Sequence, residues 1–434
     1  MNVGIILDYF KFFVPFSHQK TLHRYCFTTT RSRFRNAHVS VLDYCNPNNA
    51  RTFHSQSSKG DWRHYFKTAI KLGSLQPTSS AETLAVLYEN HFEHFISDHH
   101  IDLLIAGGTT GFERCGLATS QRVGIKTLCM WEGFFRPNTI TYDRKGMNAE
   151  SEFCSVPFET MLSHIPSKKF KQFFPEYVNQ LKSGVLNPSS LRRIQGERFN
   201  VFRQARNRWV DRMDVERIRL PLWQHLIARA SYVRHKGSYR SIEKISNPFI
   251  FFPLQTHTDT NLVLNCDVFP FSEIAKRVVM AFSNVRRELG IELIIKEHPM
   301  DVFRIDYDRR KVNGVSWISP ETPTAAILLN PHCIGTVVVN STAGLESLIL
   351  GRPVLTLGRS LYGRTELVDH LTNLNLEEIS RHLLQLPSRR VNGEALQSFL
   401  SFLYDKAQLE GNLDVLPTAS EINDFELFLT ELVR

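Results

Sequence analysis

Two short apolar runs in the C-terminal third, each ending in a polar tip, constrain this chain more than any other feature. The first is Ile291-Glu292-Leu293-Ile294-Ile295-Lys296-Glu297-His298-Pro299; the second is Thr336-Val337-Val338-Val339-Asn340-Ser341-Thr342-Ala343-Gly344-Leu345-Glu346. Both are short and β-branched, the pattern of strands buried on two faces of a parallel sheet. His298 stands where the first run stops, and Pro299 lacks the N–H that would continue a ladder. Asn340, Ser341 and Thr342 stand where the second run turns into an amphipathic helix marked by Leu345, Leu348 and Ile349. A helix N-terminus offers unpaired N–H groups and partial positive charge, so anions bind there readily. Ligands of open α/β sheets lie beyond the carboxyl ends of strands. Taken singly, Ser-Thr before a helix is an ordinary N-cap and Glu-His-Pro an ordinary loop. On successive βα units they meet at one crevice. The pair predicts a nucleotide-phosphate site.

The rest of the chain alternates in the same way, in two halves. Strands are expected at residues 2–7, 39–42, 101–106 and 126–130, with a helix at 81–96. Asn247-Pro248 reads as a boundary. A second set follows: strands at 249–253, 291–296, 315–318, 336–339 and 353–357, and helices at 271–289, 324–329 and 343–350. The expected class is α/β, with two Rossmann-like domains facing across a cleft, the GT-B arrangement of sugar-nucleotide transferases. The boundaries read as 1–163 for an acceptor domain, 164–246 for a basic helical linker and 247–434 for a nucleotide-sugar domain.

The motifs resemble those of the capsule-polysaccharide Kdo (3-deoxy-manno-octulosonate) transferases, in particular the single-module enzymes. One shared block is Trp131-Glu132-Gly133-Phe134-Phe135-Arg136-Pro137-Asn138-Thr139-Ile140-Thr141, followed by Gly146 and Asn148. Another is Phe252-Pro253-Leu254-Gln255-Thr256-His257-Thr258-Asp259. The third joins His298-Pro299 to Asn340-Ser341-Thr342-Ala343-Gly344-Leu345, then Gly351-Arg352-Pro353-Val354-Leu355-Thr356-Leu357-Gly358 and Tyr362. Two departures stand out. Trp131-Glu132-Gly133 lacks the first carboxylate of the family's acidic motif, and residues 106–113 lack its Asp-Cys-Arg-Pro pattern. The resemblance implies transfer of Kdo from CMP-Kdo with retention, no cofactor beyond the CMP-sugar donor, and Glu132 as the catalytic carboxylate.

Composition fits such an enzyme. A chain of 434 residues, 42% hydrophobic, can bury two cores. Seven scattered cysteines without CxxC pairs argue against a disulfide framework or zinc, and Cys115, Cys129, Cys266 and Cys333 sit in apolar runs as core residues. Residues 1–8 read as a first strand rather than a signal peptide, and no stretch is long enough to span a membrane. The formal net charge is +9, yet residues 164–244 alone hold 18 Lys or Arg against 6 Asp or Glu. Phe170, Phe173, Phe174, Phe199, Phe202, Trp209, Leu220, Leu222 and Trp223 are interleaved with them. That pattern favours adsorption to an anionic membrane surface over nucleic acid, and predicts a peripheral protein on the cytoplasmic membrane face.

Individual roles follow. Glu132 ends a strand before Gly133, which is expected to let the chain turn sharply; such a carboxylate serves a retaining transferase as nucleophile, or simply pairs with Arg136. Arg136 is a candidate for the sugar carboxylate. Gln255 and Asp259 follow a strand end and either hold sugar or cytidine groups or serve as turn residues. Glu346, one turn into its helix, either reaches ribose hydroxyls or is solvated. No Asp-x-Asp metal motif occurs, and His298 with the helix N-terminus can stabilise departing CMP without a metal. The expected partners are a CMP-sugar, a lipid-linked or glycolipid acceptor and a polysaccharide export complex. The alternatives are another CMP- or UDP-linked sugar, or a non-catalytic protein of polysaccharide assembly.

Overall fold

The computed structural model describes residues 1–6, 11–17, 24–29, 39–40, 57–184, 227, 230–234, 236–301, 312–371 and 373–433. They form two compact units: one within Met1–Ser155 and Lys406–Arg434, the other within Val156–Phe199 and Arg219–Asp405. The strands are β1 Asn2–Ile6, β2 Arg24–Thr29, β3 Val39–Ser40, β4 Leu103–Ala106, β5 Lys126–Glu132, β6 Thr139–Asp143, β7 Phe249–Pro253, β8 Glu292–Lys296, β9 Val315–Ile318, β10 Cys333–Val338, β11 Val354–Thr356, β12 Asp369–His370 and β13 Gln408–Glu410. The helices that carry the argument are α1 Ser79–Asp98, α2 Gly111–Arg122, α3 Lys168–Ser183, α4 Thr260–Asn265, α5 Phe271–Leu289, α6 Thr324–Leu328, α7 Thr342–Ile349, α8 Leu376–Gln385 and α9 Ala419–Val433.

In the second unit the sheet order is β9-β8-β7-β10-β11-β12, all parallel. The chain starts in the middle, winds to one edge, then crosses to the other. That is a doubly wound Rossmann-like sheet, and its order reverses between β7 and β10. The strands are apolar on both faces because helices cover both. Ile250, Phe252, Leu293 and Ile295 pack under Ile274, Val278 and Phe282 of α5 and Ile379 and Leu383 of α8. Phe249, Phe251 and Ile294 face the opposite layer with Ile327 and Leu328 of α6. Helix α5 ends where Gly290 adopts a left-handed φ of 65°, the usual glycine stop.

The first unit has the order β3-β2-β1-β4-β5-β6-β13, with β3 to β5 parallel and β6 antiparallel to both β5 and β13. Its order reverses between β1 and β4. Three of its strands escape a sequence reading. β2 (Arg24–Thr29) has no clean apolar period, β6 is a short strand antiparallel to both its neighbours, and β13 is a three-residue edge strand paired to it. The expected run of the C-terminal domain to residue 434 is therefore corrected: from Lys406 the chain returns to the first unit. The driving force is burial of Leu413, Ile422, Phe425 and Leu429 against Phe12, Phe13 and Phe16, with the Phe425 ring edge-on to Phe12 at 5.6 Å.

The basic segment also needs correction where it is described. Helix α3 belongs to the second unit; Phe170 is buried and Phe173 stacks on Tyr404 at 4.7 Å. Those aromatic side chains are spent on the protein, while Lys168, Lys169, Lys171 and Lys182 are exposed. Phe199, Phe202, Trp209, Leu220, Leu222 and Trp223 lie outside the described residues. Cys115, Cys129, Cys266 and Cys333 are buried core residues as expected.

One histidine in the first core reports on stability. His91 of α1 is 1% exposed, lies against Phe95 and Phe112, and has Nε2 2.6 Å from Thr28 Oγ1. Burial pushes its pKa down to about 3. The unfolded chain accepts that proton near pH 6.5, the native state only near pH 3, so stability falls on acidification between those values. The loss reaches about 5 kcal/mol at most. Urea unfolding midpoints measured from pH 7 to pH 4 should fall with this slope, and His91→Gln should flatten it.

Candidate functional site

Three strand ends of the second unit carry the polar tips. β7 lies between β8 and β10, so the loop after it is the wedge joining the other two. Gln255 in this loop is 5% exposed, and both ends of its amide are used. Its Oε1 accepts from the Asn340 N–H at 3.1 Å, and its Nε2 donates to Asn340 Oδ1 at 2.9 Å and Asp259 Oδ2 at 3.4 Å. The next residue, Thr256, places Oγ1 2.8 Å from His298 Nδ1 and so fixes the imidazole. Asn340 Nδ2 donates to the carbonyls of Asn261 at 2.9 Å and Arg359 at 3.3 Å. Asp259 caps α4 by accepting from Asn261 N at 2.9 Å. Gln255 and Asp259 thus brace the tips through their hydrogen bonds to Asn340 and to the start of α4.

The N-terminus of α7 is built against a buried phenol. Ser341 caps the helix, with Oγ accepting from Ala343 N at 3.2 Å. Tyr362, fully buried, donates its hydroxyl to the Ser341 carbonyl. A Cβ on Gly344 would collide with that phenol, so glycine is required there by close approach, not by φ. Thr342 is half-buried at the first helical position, and Pro299 opens the short 3-10 turn Pro299–Asp301 behind His298. Sequence reasoning placed these tips correctly and the fold ties them together.

A buried cation lies behind the tips. Lys296, the last residue of β8, is 8% exposed and donates Nζ to Thr324 Oγ1 of α6 at 3.2 Å. Burial pushes its pKa down to about 8, and the charge of Glu346 opposes that shift. Glu346 is half-buried, and its charge lies near enough to Lys296 to favour the lysine's charged form.

In the first unit Glu132 ends β5, and its carboxylate lies 3.1 Å from the Arg136 guanidinium, both about four-tenths exposed. Arg136 Nε also donates to the Gly133 carbonyl at 3.4 Å. Gly133 is not in the left-handed region. It is glycine because its N–H reaches the Thr139 carbonyl at 2.8 Å and any Cβ would strike Thr139. The expectation of a sharp turn is replaced by a backbone close approach. Gln408 of β13 pins this loop: its Oε1 accepts from Phe134 N at 3.0 Å and Thr139 Oγ1 at 2.9 Å, and its Nε2 donates to Thr141 Oγ1 at 2.8 Å. No local signal in the sequence joins residue 408 to residue 134. The other strand-end loop, after β4, is closed by its own carboxylate. Glu113, 1% exposed, accepts from Gly107 N at 3.0 Å and from Thr109 N and Thr110 N at 2.9 Å. That helix N-terminus already holds its anion.

Residues 102–412 match the profile of the capsule polysaccharide biosynthesis proteins. The chain belongs to this family. Capsule polysaccharide modification protein LipB of Neisseria meningitidis is 26% identical over 312 residues, covering 66% of this chain and 70% of LipB. Capsule polysaccharide export protein KpsS of Escherichia coli is 24% identical over 262 residues, 55% of this chain and 62% of KpsS. Among solved structures, the β-Kdo 2,4 transferase KpsC of Thermosulfurimonas dismutans superposes with a TM-score of 0.41 and 16% identity, over 69% of this chain and 79% of that one. Membership in the family places the chain in capsule polysaccharide biosynthesis. Among the described residues no helix is long and apolar enough to cross a membrane.

The lysine behind the tips gives a test of the site's construction. Its native pKa lies below its ordinary 10.5, so the folded state binds fewer protons than the unfolded state between about pH 8 and pH 10. Stability should therefore rise with pH across that window. Lys296→Met should remove the slope and, in the ligand-free protein, leave neutral-pH stability equal or higher, since a buried charge is lost. Denaturation midpoints at pH 7, 8, 9 and 10 for both proteins check this.

Proposed function

We propose that the protein is a glycosyltransferase of capsule polysaccharide assembly that moves Kdo, or a close relative, from its CMP donor to a lipid-linked or glycolipid acceptor. The observation that carries this reading is the joining of His298 and the Ser341-Thr342 helix N-terminus through the loop after β7. An oriented imidazole and two N-terminal hydroxyls suit the phosphate of CMP. Family membership and the three motif blocks support the substrate class. Glu113 supports the division of labour, because it fills the comparable loop of the other unit and leaves no anion site there.

In this reading the Glu132 carboxylate attacks the anomeric carbon of the bound sugar. The bond to the phosphate oxygen breaks, and its electron pair leaves with CMP. The acceptor hydroxyl then displaces Glu132, so two inversions give retention. Arg136 is the residue suited to the sugar's own carboxylate, because a guanidinium binds carboxylates in a two-point fork. The exposed lysines of α3 and the basic residues that follow suit peripheral attachment to anionic lipid on the cytoplasmic face. A polysaccharide export complex is the natural setting for such an enzyme.

Three measurements test the reading. With CMP-Kdo, wild-type protein should release CMP and carry one added sugar by mass spectrometry. Glu132→Gln should show neither yet keep CMP affinity; near-normal transfer by that variant would sink the nucleophile assignment. His298→Ala should weaken CMP binding by about 1.5–3 kcal/mol, the scale of a hydrogen bond to a charged group, and unchanged affinity by calorimetry places the nucleotide elsewhere. Equal recovery on neutral and anionic vesicles at low salt would reject the membrane attachment.

A further inference from the structure

The loop that leads into α3 is held firmly and yet turns its apolar side chains into water. Ser167 caps α3, with Oγ accepting from Phe170 N at 3.0 Å and donating to Asp405 Oδ1 at 2.5 Å. Its own N–H donates to Asp405 Oδ2 at 2.9 Å, and His164 Nε2 lies 2.8 Å from the same oxygen. Asp405, on the helix Gly393–Ala407, therefore fixes the chain on both sides of Ile165 and Pro166. The Ile165 side chain is nevertheless 82% exposed, and Leu162, the last residue of the short helix Phe158–Leu162, is 52% exposed. One exposed aliphatic residue is ordinary. Here two stand directly before Lys168, Lys169 and Lys171, all exposed. Glu159 and Glu176 lie to either side, but no Asp or Glu occurs from Thr160 to Pro175.

The lysines also run against the local physics of the helix. A helix N-terminus carries partial positive charge and favours Asp or Glu in its first turn. α3 has no acidic residue there and has three lysines among its first four positions. Folding gains nothing from that arrangement, whereas binding to an anionic surface does, because the lysine charges and the helix dipole then act together. We propose that Leu162, Ile165 and the first turn of α3 form the contact with an anionic lipid surface. Leu162 and Ile165 enter the boundary between headgroups and acyl chains, and Lys168, Lys169 and Lys171 meet the lipid phosphates. The two aliphatic residues favour lipid over a soluble polyanion such as an acidic polysaccharide, which has no apolar layer to receive them. Phe170 and Phe173 pack on the protein itself, so the loop, rather than the aromatic face of α3, supplies the apolar contact. The inference rests on the membrane attachment of the proposed function and assigns it to five residues.

Sedimentation of the full chain with phosphatidylglycerol vesicles and with phosphatidylcholine vesicles, at low salt, tests it. A double variant carrying Leu162→Ser and Ile165→Ser should keep the wild-type melting temperature and bind phosphatidylglycerol about tenfold more weakly. A triple variant carrying Lys168→Gln, Lys169→Gln and Lys171→Gln should also lose about tenfold or more, with a melting temperature equal to or above wild type because the opposed charges are gone. Loss in only one of the two variants overturns the proposal: lysines alone make a polyanion surface, and aliphatics alone make an apolar contact without charge recognition. A fall in melting temperature of the double variant overturns it too, since those side chains then have a partner within the protein. Equal recovery of wild type on both vesicles sinks the membrane attachment and this inference together. Wild-type preference for phosphatidylglycerol that survives both sets of substitutions sinks this inference alone.

Discussion

The site of the second unit depends on the paired hydrogen bonds between Gln255 and Asn340. β7 and β10 are neighbours in the sheet but far apart in sequence, and the winding direction reverses between them. At such a point the loops diverge and leave a crevice, which has to be braced without being filled. The Gln255 amide does this by using its donor and its acceptor on one partner. Each bond is worth about 1 kcal/mol net, but loss of either partner would strand the other in a nearly dry place at higher cost. With Asn340 fixed, Ser341 caps α7 in one geometry, and with Thr256 fixed, His298 has one orientation.

The two units share an architecture and differ at their strand ends for a reason visible in single residues. After β4 the chain places a glutamate three residues into the helix, where it folds back as a capping box and satisfies the loop. After β10 the corresponding position is Gly344, and a buried tyrosine occupies the space instead. A carboxylate at that position would compete with any phosphate for the helix N-terminus; glycine does not. The asymmetry of Glu113 and Gly344 separates an inert helix start from one that suits an anion.

Much of this was legible in the sequence because it is local. The short β-branched runs, the helix at 271–289 with its glycine stop, and the polar tips at His298 and Ser341 each follow from neighbours a few residues apart. What was not legible is non-local. Nothing near Gln408 announces that it completes the loop after Glu132, and the return of residues 406–434 to the first unit rests on aromatic contacts with Phe12, Phe13 and Phe16, more than four hundred residues away from Phe425. At Gly133 the sequence shows that a side chain is missing, not whether φ or a neighbour forbids it. The aromatics of α3 are ambiguous in sequence, because alternation of aromatic and basic residues suits a helix lying on a lipid surface and equally one lying on its own domain.

The ion pair of Glu132 and Arg136 sets a constraint on any chemistry at this loop. At 3.1 Å and with both groups about four-tenths exposed, the pair is worth little to stability, so stability alone gives no reason for its geometry. It does keep a cation beside the carboxylate. The same guanidinium is the group suited to the carboxylate of an acidic sugar, and five N–H donors are enough to serve both oxygens of one partner and one of the other. On the proposed donor, the sugar's own carboxylate would meet the Arg136 guanidinium beside Glu132, and that cation would offset the repulsion between the two carboxylates. A neutral sugar has no use for that arrangement. The Glu132–Arg136 pair is thus one physical ground on which the proposed function takes an acidic donor sugar rather than a neutral one.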